Sequence, residues 1–586
     1  MLNTKSNRLD YGSILSPPNN YQLDFAIGAT YSLDLDALVG ASISLGLATE
    51  NDSDLNENPI FLLEALRSTA DKIALFCESG QIKLPNKPTP LYILLENMVF
   101  QVTNNNNVGR SKFGSFHPKV WLLRYTNHED DVVYRFVILS RNLTFDRSWD
   151  LSFSMDGEIT NKSTVKNNPL IRFIEHLSCY STSDAKTDKI KKIMRELESV
   201  EFKLNSRIFE GFEFIVNGID EANPIQNQQL FKSNSLDKLL VMSPFLSRDV
   251  IKDFNNRKNP KSKAVLITRS NSLGQLRDEN LDNFEFYVLK DEVVDGESLL
   301  SEDSYQSQDI HAKLYVVEKR AYTDLYLGSL NASHNALYGN VEFMIKLWAT
   351  KGRVNVNKIL KELFNDGKDN PFQSIDIKNI KLPDEGSNLN LVIKNIVRFN
   401  ADAKVISNDE KYDIEVNFSS DCSNYDIEIK PLLSNKTEKF AKKVTFESLD
   451  KNQLSEFFVI IIHDDEETLR RVIKIPVENL PQDRQKEVVS NIVNDKTAFI
   501  RYVAFLLGDD YILSSIDDEG DGEGGIDHSF TIQLPELYEK MLKASLYAPE
   551  KFIELEYLIK TLSDDDVIPE GFEELYHIFK EVIDNE

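Results

Sequence analysis

The chain is short of several things, and each shortage closes off a class of protein. Three cysteines in 586 residues, Cys77, Cys179 and Cys422, stand far apart with no Cys-x-x-Cys pair. That spacing excludes a disulfide framework and the usual structural zinc site. No apolar run approaches the ~20 residues needed to cross a bilayer. The longest, such as Phe457 to Ile462, are strand-sized. The opening MLNTKSNRLDYGSIL lacks the apolar core of a secretory leader, so the expected location is cytoplasmic, without membrane insertion. Neither a Walker A sequence nor a dinucleotide fingerprint occurs, and no cofactor or metal is expected.

Positive charge is scarce as well: 67 Lys and Arg stand against 94 Asp and Glu, a net charge of −27. The deficit is local. The last 86 residues carry 6 basic and 22 acidic side chains, whereas the first 400 are close to neutral. An anionic substrate such as nucleic acid therefore stays open for the first 400 residues. With 41% apolar and 10% aromatic residues the chain is a folded one, long enough for three to five domains.

Through the first 385 residues, apolar strand-like runs alternate with amphipathic stretches, the pattern of an α/β fold. Strands are expected at Phe25–Ala29, Leu91–Leu95, Val120–Tyr125, Arg135–Leu139, Leu239–Met242, Ala264–Thr268, Phe284–Leu289, Lys313–Val317 and Leu325–Leu327. Helices are expected at Ile60–Cys77 and Lys186–Val200. From LNLVIKNIV near Asn388 to Glu478, short alternating runs predict a small antiparallel β domain. Helical patterns follow Pro481, broken by the acidic, Gly-rich run at 517–527. That run begins like a calcium loop but has His528 where the bidentate Glu belongs. The expected units are 1–215, 216–385, 386–480 and an acidic helical 481–586.

One constellation occurs twice. FHPKVWLLRY sets His117 two before Lys119, and the next strand, FVILSRN, ends with Ser140 two before Asn142. IHAKLYVVE and LYLGSLN repeat the pattern with His311, Lys313, Ser329 and Asn331. Residues i and i+2 of a strand share a face, so each half directs these side chains to one side of two neighbouring strands. With 8 His and 67 basic residues, about one His-x-basic pair is expected by chance. A Ser-x-Asn ending the following strand, twice, is not.

These residue types suit phosphodiester cleavage. A neutral imidazole attacks phosphorus and becomes a phosphohistidine, while a second, protonated one serves the leaving oxygen and then activates water. Lysines and asparagines stabilise charge on the non-bridging oxygens. Two facing copies supply every part. One copy does not.

The paired motifs resemble the phospholipase D superfamily over roughly residues 20–385. The resemblance implies duplicated mixed sheets forming a pseudo-two-fold catalytic core, here followed by the β domain and the acidic helical region. LLVMSPFLS at Leu239–Ser247 looks like the usual start of the second repeat, and Glu342 in NVE matches a Glu that orients a catalytic His. The first half has no clear counterpart, with Asp150 and Ser152 nearest. The superfamily's Asp five residues after the Lys is Arg124 in one half and Glu318 in the other, similar to the tyrosyl-DNA phosphodiesterase branch. That branch's order implies His117 as nucleophile and His311 as general acid. Because Glu342 lies in the second half, raising the basicity of a second-half His is the competing expectation.

The fold does not fix the substrate. The reading favoured here is a metal-independent nuclease acting on DNA. A bacterial anti-phage defence or restriction subunit, with an ATPase or helicase partner docked on the C-terminal region, is the setting the resemblance implies. The alternatives are a peripheral phospholipase and a catalytically silent nucleic-acid-binding scaffold. Arg110, Lys112 and Arg141 flank the first motif as phosphate contacts or as ordinary surface. Trp121 and Trp149 are expected in the core before they are expected on a base.

Overall fold

The computed structural model describes residues 11–46, 58–104, 114–146, 148–219, 224–259, 261–281, 284–290, 309–365, 370–380, 389–422, 425–464, 467–507, 534–547, 549, 551–563 and 566–585. Arg110, Lys112 and the acidic run at 517–527 lie outside them.

The first half is built on strands β1 (Gln22–Thr30), β2 (Ile73–Glu78), β3 (Val99–Val102), β4 (Val120–Thr126) and β5 (Val132–Leu139). The two-residue β6 (Ser148–Trp149), then β7 (Ser152–Ile159) and β8 (Val200–Lys203), complete it. Seven of these form one sheet in the order β3-β2-β1-β4-β5-β7-β8. Strands β1, β2 and β3 pair in parallel, and the other neighbours are antiparallel.

The second half repeats the scheme with β9 (Gly211–Asn217), β10 (Lys238–Met242), β11 (Ala264–Ile267), β12 (Phe284–Leu289), β13 (Asp309–Ile310), β14 (Leu314–Glu318), β15 (Tyr322–Gly328), β16 (Glu342–Thr350) and β17 (Phe372–Ser374). Its order, β17-β12-β11-β10-β14-β15-β16-β9, has the same parallel trio beside the same antiparallel run. The fold is the expected duplication.

Alternation within the strands packs the two sheets together. In β1, Phe25, Ile27 and Ala29 enter a core shared with Leu240, Val316 and Phe343 of the second half. Phe136 and Phe343 meet across it with ring centroids 5.5 Å apart. Leu23 and Ala26 face the other way, onto helices Leu35–Gly46 and Pro59–Ala70. The polar turns close hairpins as expected: Asn127 N–H donates to Asp131 O at 3.2 Å, and Lys319 N–H to Tyr322 O at 2.8 Å.

Three local expectations fail for physical reasons. Leu91–Leu95 is a 3-10 helix, because Pro90 starts a turn in which Leu91 N–H donates to the Thr89 hydroxyl at 3.2 Å. The helix expected over Ile60–Cys77 ends at Ala70, and IALFCE is β2, a parallel strand buried on both faces that hides its period. LNLVIKNIV forms a helix, Leu389–Ile396, with Leu389, Val392, Ile393 and Ile396 along its buried side.

The remaining strands are β18 (Ala401–Asn408), β19 (Lys411–Phe418), β20 (Asp426–Pro431), β21 (Glu438–Lys439), β22 (Lys443–Leu449), β23 (Phe457–His463), β24 (Thr468–Lys474) and β25 (Val477–Glu478). They make two four-stranded sheets around one apolar core. Helices Arg484–Ile492, Lys496–Leu507, Leu534–Tyr547, Lys551–Leu562 and Phe572–Asn585 follow. They extend the core on the first sheet's outer face, away from the second half. There Tyr502 donates to Glu64, and Arg67 bonds the Tyr502 hydroxyl at 2.6 Å and Glu554 at 3.0 Å. No helix among the described residues is long and apolar enough to cross a membrane.

Candidate active site

The two motif histidines lie on the segments leading into β4 and β14, and each segment is clasped by the opposite half. His117 N–H donates to the Val341 carbonyl at 2.9 Å, and Val341 N–H to the Ser115 carbonyl at 2.9 Å. This approach needs glycine at 114, where a Cβ would lie 2.1 Å from the Gly339 oxygen. In the other half, β13 pairs with β6, and the His311 and Ala312 N–H groups both donate to Trp149 O at 3.0 Å. Each histidine is thus set directly beside the residue that precedes the other half's acid, Glu342 or Asp150.

Glu342 is fully buried and contacts His117, not a second-half histidine: Nδ1 and Oε2 are 3.1 Å apart. Asn340 donates to its other oxygen at 3.0 Å, and the Ser329 hydroxyl donates to the oxygen facing His117. The expectation that Glu342 tunes a second-half His is corrected by this crossing of the pseudo-two-fold. Asp150 is the first-half counterpart. Ser140 donates to it at 3.0 Å while accepting from Leu151 N–H at 2.8 Å, as Ser329 accepts from Phe343 N–H at 3.0 Å. Asp150 is one methylene shorter than Glu342, and it makes no hydrogen bond to His311. The two halves are chemically unequal.

Both lysines are buried, at 2% exposure each, and belong to the same centre. Lys119 donates to the His117 carbonyl at 2.9 Å, and Lys313 to the His311 carbonyl and, across the interface, to Ser140 O at 3.3 Å. Burial and the nearby Lys313 charge push Lys119 well below its ordinary pKa, and burial lowers Lys313 to about 8. Burial likewise brings His117 down to about 4, with Glu342 opposing and the lysines assisting. His311 falls to about 3 through burial, then Lys313, Arg269 and Lys119. Two neutral imidazoles therefore face a concentrated, poorly solvated positive charge.

Asn142 and Asn331 occupy matching places after β5 and β15, and the side-chain oxygen of each is buried without a hydrogen-bond partner. Each orphaned oxygen is an acceptor and calls for a donor, whereas the NH2 end of the same amide is the one able to donate to an anion. A cavity of about 480 Å3 opens beside Asn142, walled by Ala37, Ile43, Leu62 and Phe145, and neither motif histidine lines it. Arg141 turns inward, donating to Thr144 O at 2.6 Å and Asp146 O at 3.2 Å, so it braces its own loop. Trp121 is core, bonded to the Tyr11 hydroxyl at 2.8 Å. Arg124 pairs with Asp24 and Glu196, and Glu318 accepts from Val356 N–H at 3.0 Å; the residues replacing the superfamily Asp are structural.

Three residues at this mouth escaped the motif. The Tyr31 ring centroid is 5.0 Å from that of His117. Glu78 accepts from Phe116 N–H at 2.7 Å, and Arg269 donates to Ile310 O at 3.0 Å, so each steadies the residue before a motif histidine. Tyr31 directly follows β1, Glu78 ends β2 and Arg269 stands two residues past β11, each a strand of a parallel trio. The crevice beyond the carboxyl ends of those strands is the signal that finds them.

No family model and no curated protein matches the chain. Among solved structures, yeast tyrosyl-DNA phosphodiesterase aligns at 14% identity and TM-score 0.35, covering 58% of this chain and 85% of that one. Phosphatidylserine synthase from Haemophilus influenzae aligns at 12% and 0.35, covering 64% and 87%. NucT from Helicobacter pylori aligns at 16% and 0.20, covering 28% and 100%. The repeated strand order and the two facing His-x-Lys segments are the features by which the core of this chain resembles the phospholipase D superfamily.

Proposed function

We propose that the protein is a metal-independent phosphodiesterase that cleaves DNA through a covalent phosphohistidine. The observation that carries this reading is the convergence of His117, His311, Lys119 and Lys313 in one buried centre, with a carboxylate on only one imidazole. Nδ1 of His117 is engaged by Glu342, which leaves Nε2 as the nucleophile. It attacks phosphorus as the bond to the leaving oxygen breaks, and His311 gives that oxygen its proton. A water, deprotonated by His311, then attacks the phosphohistidine and restores His117. Lys119, Lys313 and the side-chain NH2 groups of Asn142 and Asn331 donate to the phosphoryl oxygens, while Ser140 and Ser329 hold the acidic residues.

His311 is neutral in the free protein because of burial and positive neighbours. A bound phosphodiester anion cancels much of that field, so His311 acquires its proton together with substrate. Incubation with labelled DNA, RNA and phosphatidylcholine, each with and without EDTA, tests the reading. DNA cleavage that persists in EDTA is expected; lipid cleavage alone, or cleavage only with added magnesium, overturns it. Exposed Tyr538, Leu542, Ile553 and Ile578 on the C-terminal helices support docking of a protein partner there. An ATPase or helicase in a bacterial defence or restriction system is the partner in this reading.

A further inference from the structure

A line of backbone bridges runs beside the mouth. Leu143, next to Asn142, bridges Leu33; Leu33 bridges Ile82; Ile82 bridges Val472 of β24. Val472 N–H donates to Ile82 O at 2.9 Å, so the β domain supplies the last member of the line. Arg471 directly precedes it. The β domain is also fixed to the first half at Glu96, which accepts from Ser455 and Glu456 N–H at 2.9 Å and from Arg484 at 2.8 Å. Lys474 on the same strand donates to Glu96 O at 2.6 Å and Val99 O at 3.0 Å. Arg471 is therefore held in place by a rigid attachment.

Its environment is that of a cation awaiting an anion. Arg471 donates to the Arg470 carbonyl at 2.9 Å and, among the described residues, has no ion pair. Partial burial lowers its pKa, with Tyr31 and Glu467 opposing. Tyr31 in turn lies against His117. An incompletely matched guanidinium within electrostatic range of Tyr31, on a strand bridged to the line of Leu33 and Leu143, suits a planar, bidentate oxyanion.

We infer that Arg471 binds a second phosphate of the substrate, next to the one His117 attacks, making the β domain one wall of the groove. The site then selects a chain of successive phosphodiesters over an isolated diester. This rests on the phosphodiesterase reading and adds the substrate feature that the β domain recognises.

The test compares Arg471→Gln with the unaltered full-length protein on a single-stranded DNA oligonucleotide and on bis(p-nitrophenyl) phosphate, which has one diester. The ratio of kcat/KM for the oligonucleotide to that for the small diester should fall about tenfold, as for the loss of one charge-assisted contact. Binding of the oligonucleotide is measured in parallel in a His117→Ala background, where the salt slope should become shallower by about 0.7. An unchanged ratio with an unchanged slope overturns the inference. Equal losses on both substrates also overturn it, placing Arg471 behind Tyr31 as a support for His117. If the unaltered protein cleaves neither substrate, the phosphodiesterase reading fails, and the salt slope alone decides for or against Arg471.

Discussion

His117 and Glu342 lie 225 residues apart in sequence and 3.1 Å apart in space, one from each half of the duplicated core. In the proposed mechanism this carboxylate fixes the imidazole's orientation and tautomer and stabilises the charge that would form as Nε2 bonds to phosphorus. Glu342→Gln keeps the shape and removes the charge. It should lower kcat on the order of 10²-fold. The same substitution should slow formation of the covalent intermediate in single-turnover kinetics. Unchanged single-turnover rates would detach Glu342 from the chemistry.

The pH profile follows from the buried groups. In the free protein His117 is neutral above about pH 4, and Lys313 is charged below about 8. His311 takes up its proton with substrate, so kcat/KM should fall about tenfold per pH unit above the His117 acid limb and steepen into an alkaline limb near the second value, as Lys313 discharges. Lys313→Arg keeps a cation that does not titrate in this range, so the alkaline limb should move upward. An alkaline limb that stays in place would assign it to another group.

Stability should depend on pH through the same histidines. An imidazole in the unfolded chain titrates near ~6.5, whereas the folded values are about 4 for His117 and about 3 for His311. Between these limits the unfolded chain binds the extra protons. This contribution is fully present above about pH 6.5 and is lost as pH falls through the folded values. Urea unfolding between pH 7 and 4 should show the decline, and His117→Gln with His311→Gln should flatten it.

The C-terminal helices should matter to the fold and not to the chemistry. Tyr502, on the helix Lys496–Leu507, is fully buried and holds Glu64 and Arg67. Tyr502→Ala should cost about 3–5 kcal/mol of stability, the range for a large buried aromatic. The kcat of the remaining folded protein should be unchanged. Deleting residues 481–586 should strip the first sheet's outer face and yield insoluble protein.

What was legible in the sequence divides along physical lines. His117, Lys119, Ser140 and Asn142, and their second-half partners, were visible as a repeated spacing, but all eight lie just outside the strands, so the expectation that they share a strand face is not what brings them together. The duplication of the mixed sheet followed from the repeat, and its strand order did not. The destination of Glu342 could not be read, since a crossing of the pseudo-two-fold leaves no local pattern. Tyr31 and Arg269 escaped for a related reason: their places are set by where neighbouring strands end. β2 was hidden in a helical expectation because both its faces are buried. The β24 contact with Ile82 joins two domains and has no sequence signature at all.

The most direct test of the two-histidine mechanism is capture of its intermediate. His311→Ala, incubated with labelled DNA in EDTA and quenched, should carry an acid-labile phosphoryl adduct that mass spectrometry maps to His117. His117→Ala should carry none. An adduct on His311 in the His117→Ala protein would exchange the two roles. Absence of adduct in both variants, with inversion of configuration at phosphorus in the active protein, would contradict a covalent phosphohistidine altogether.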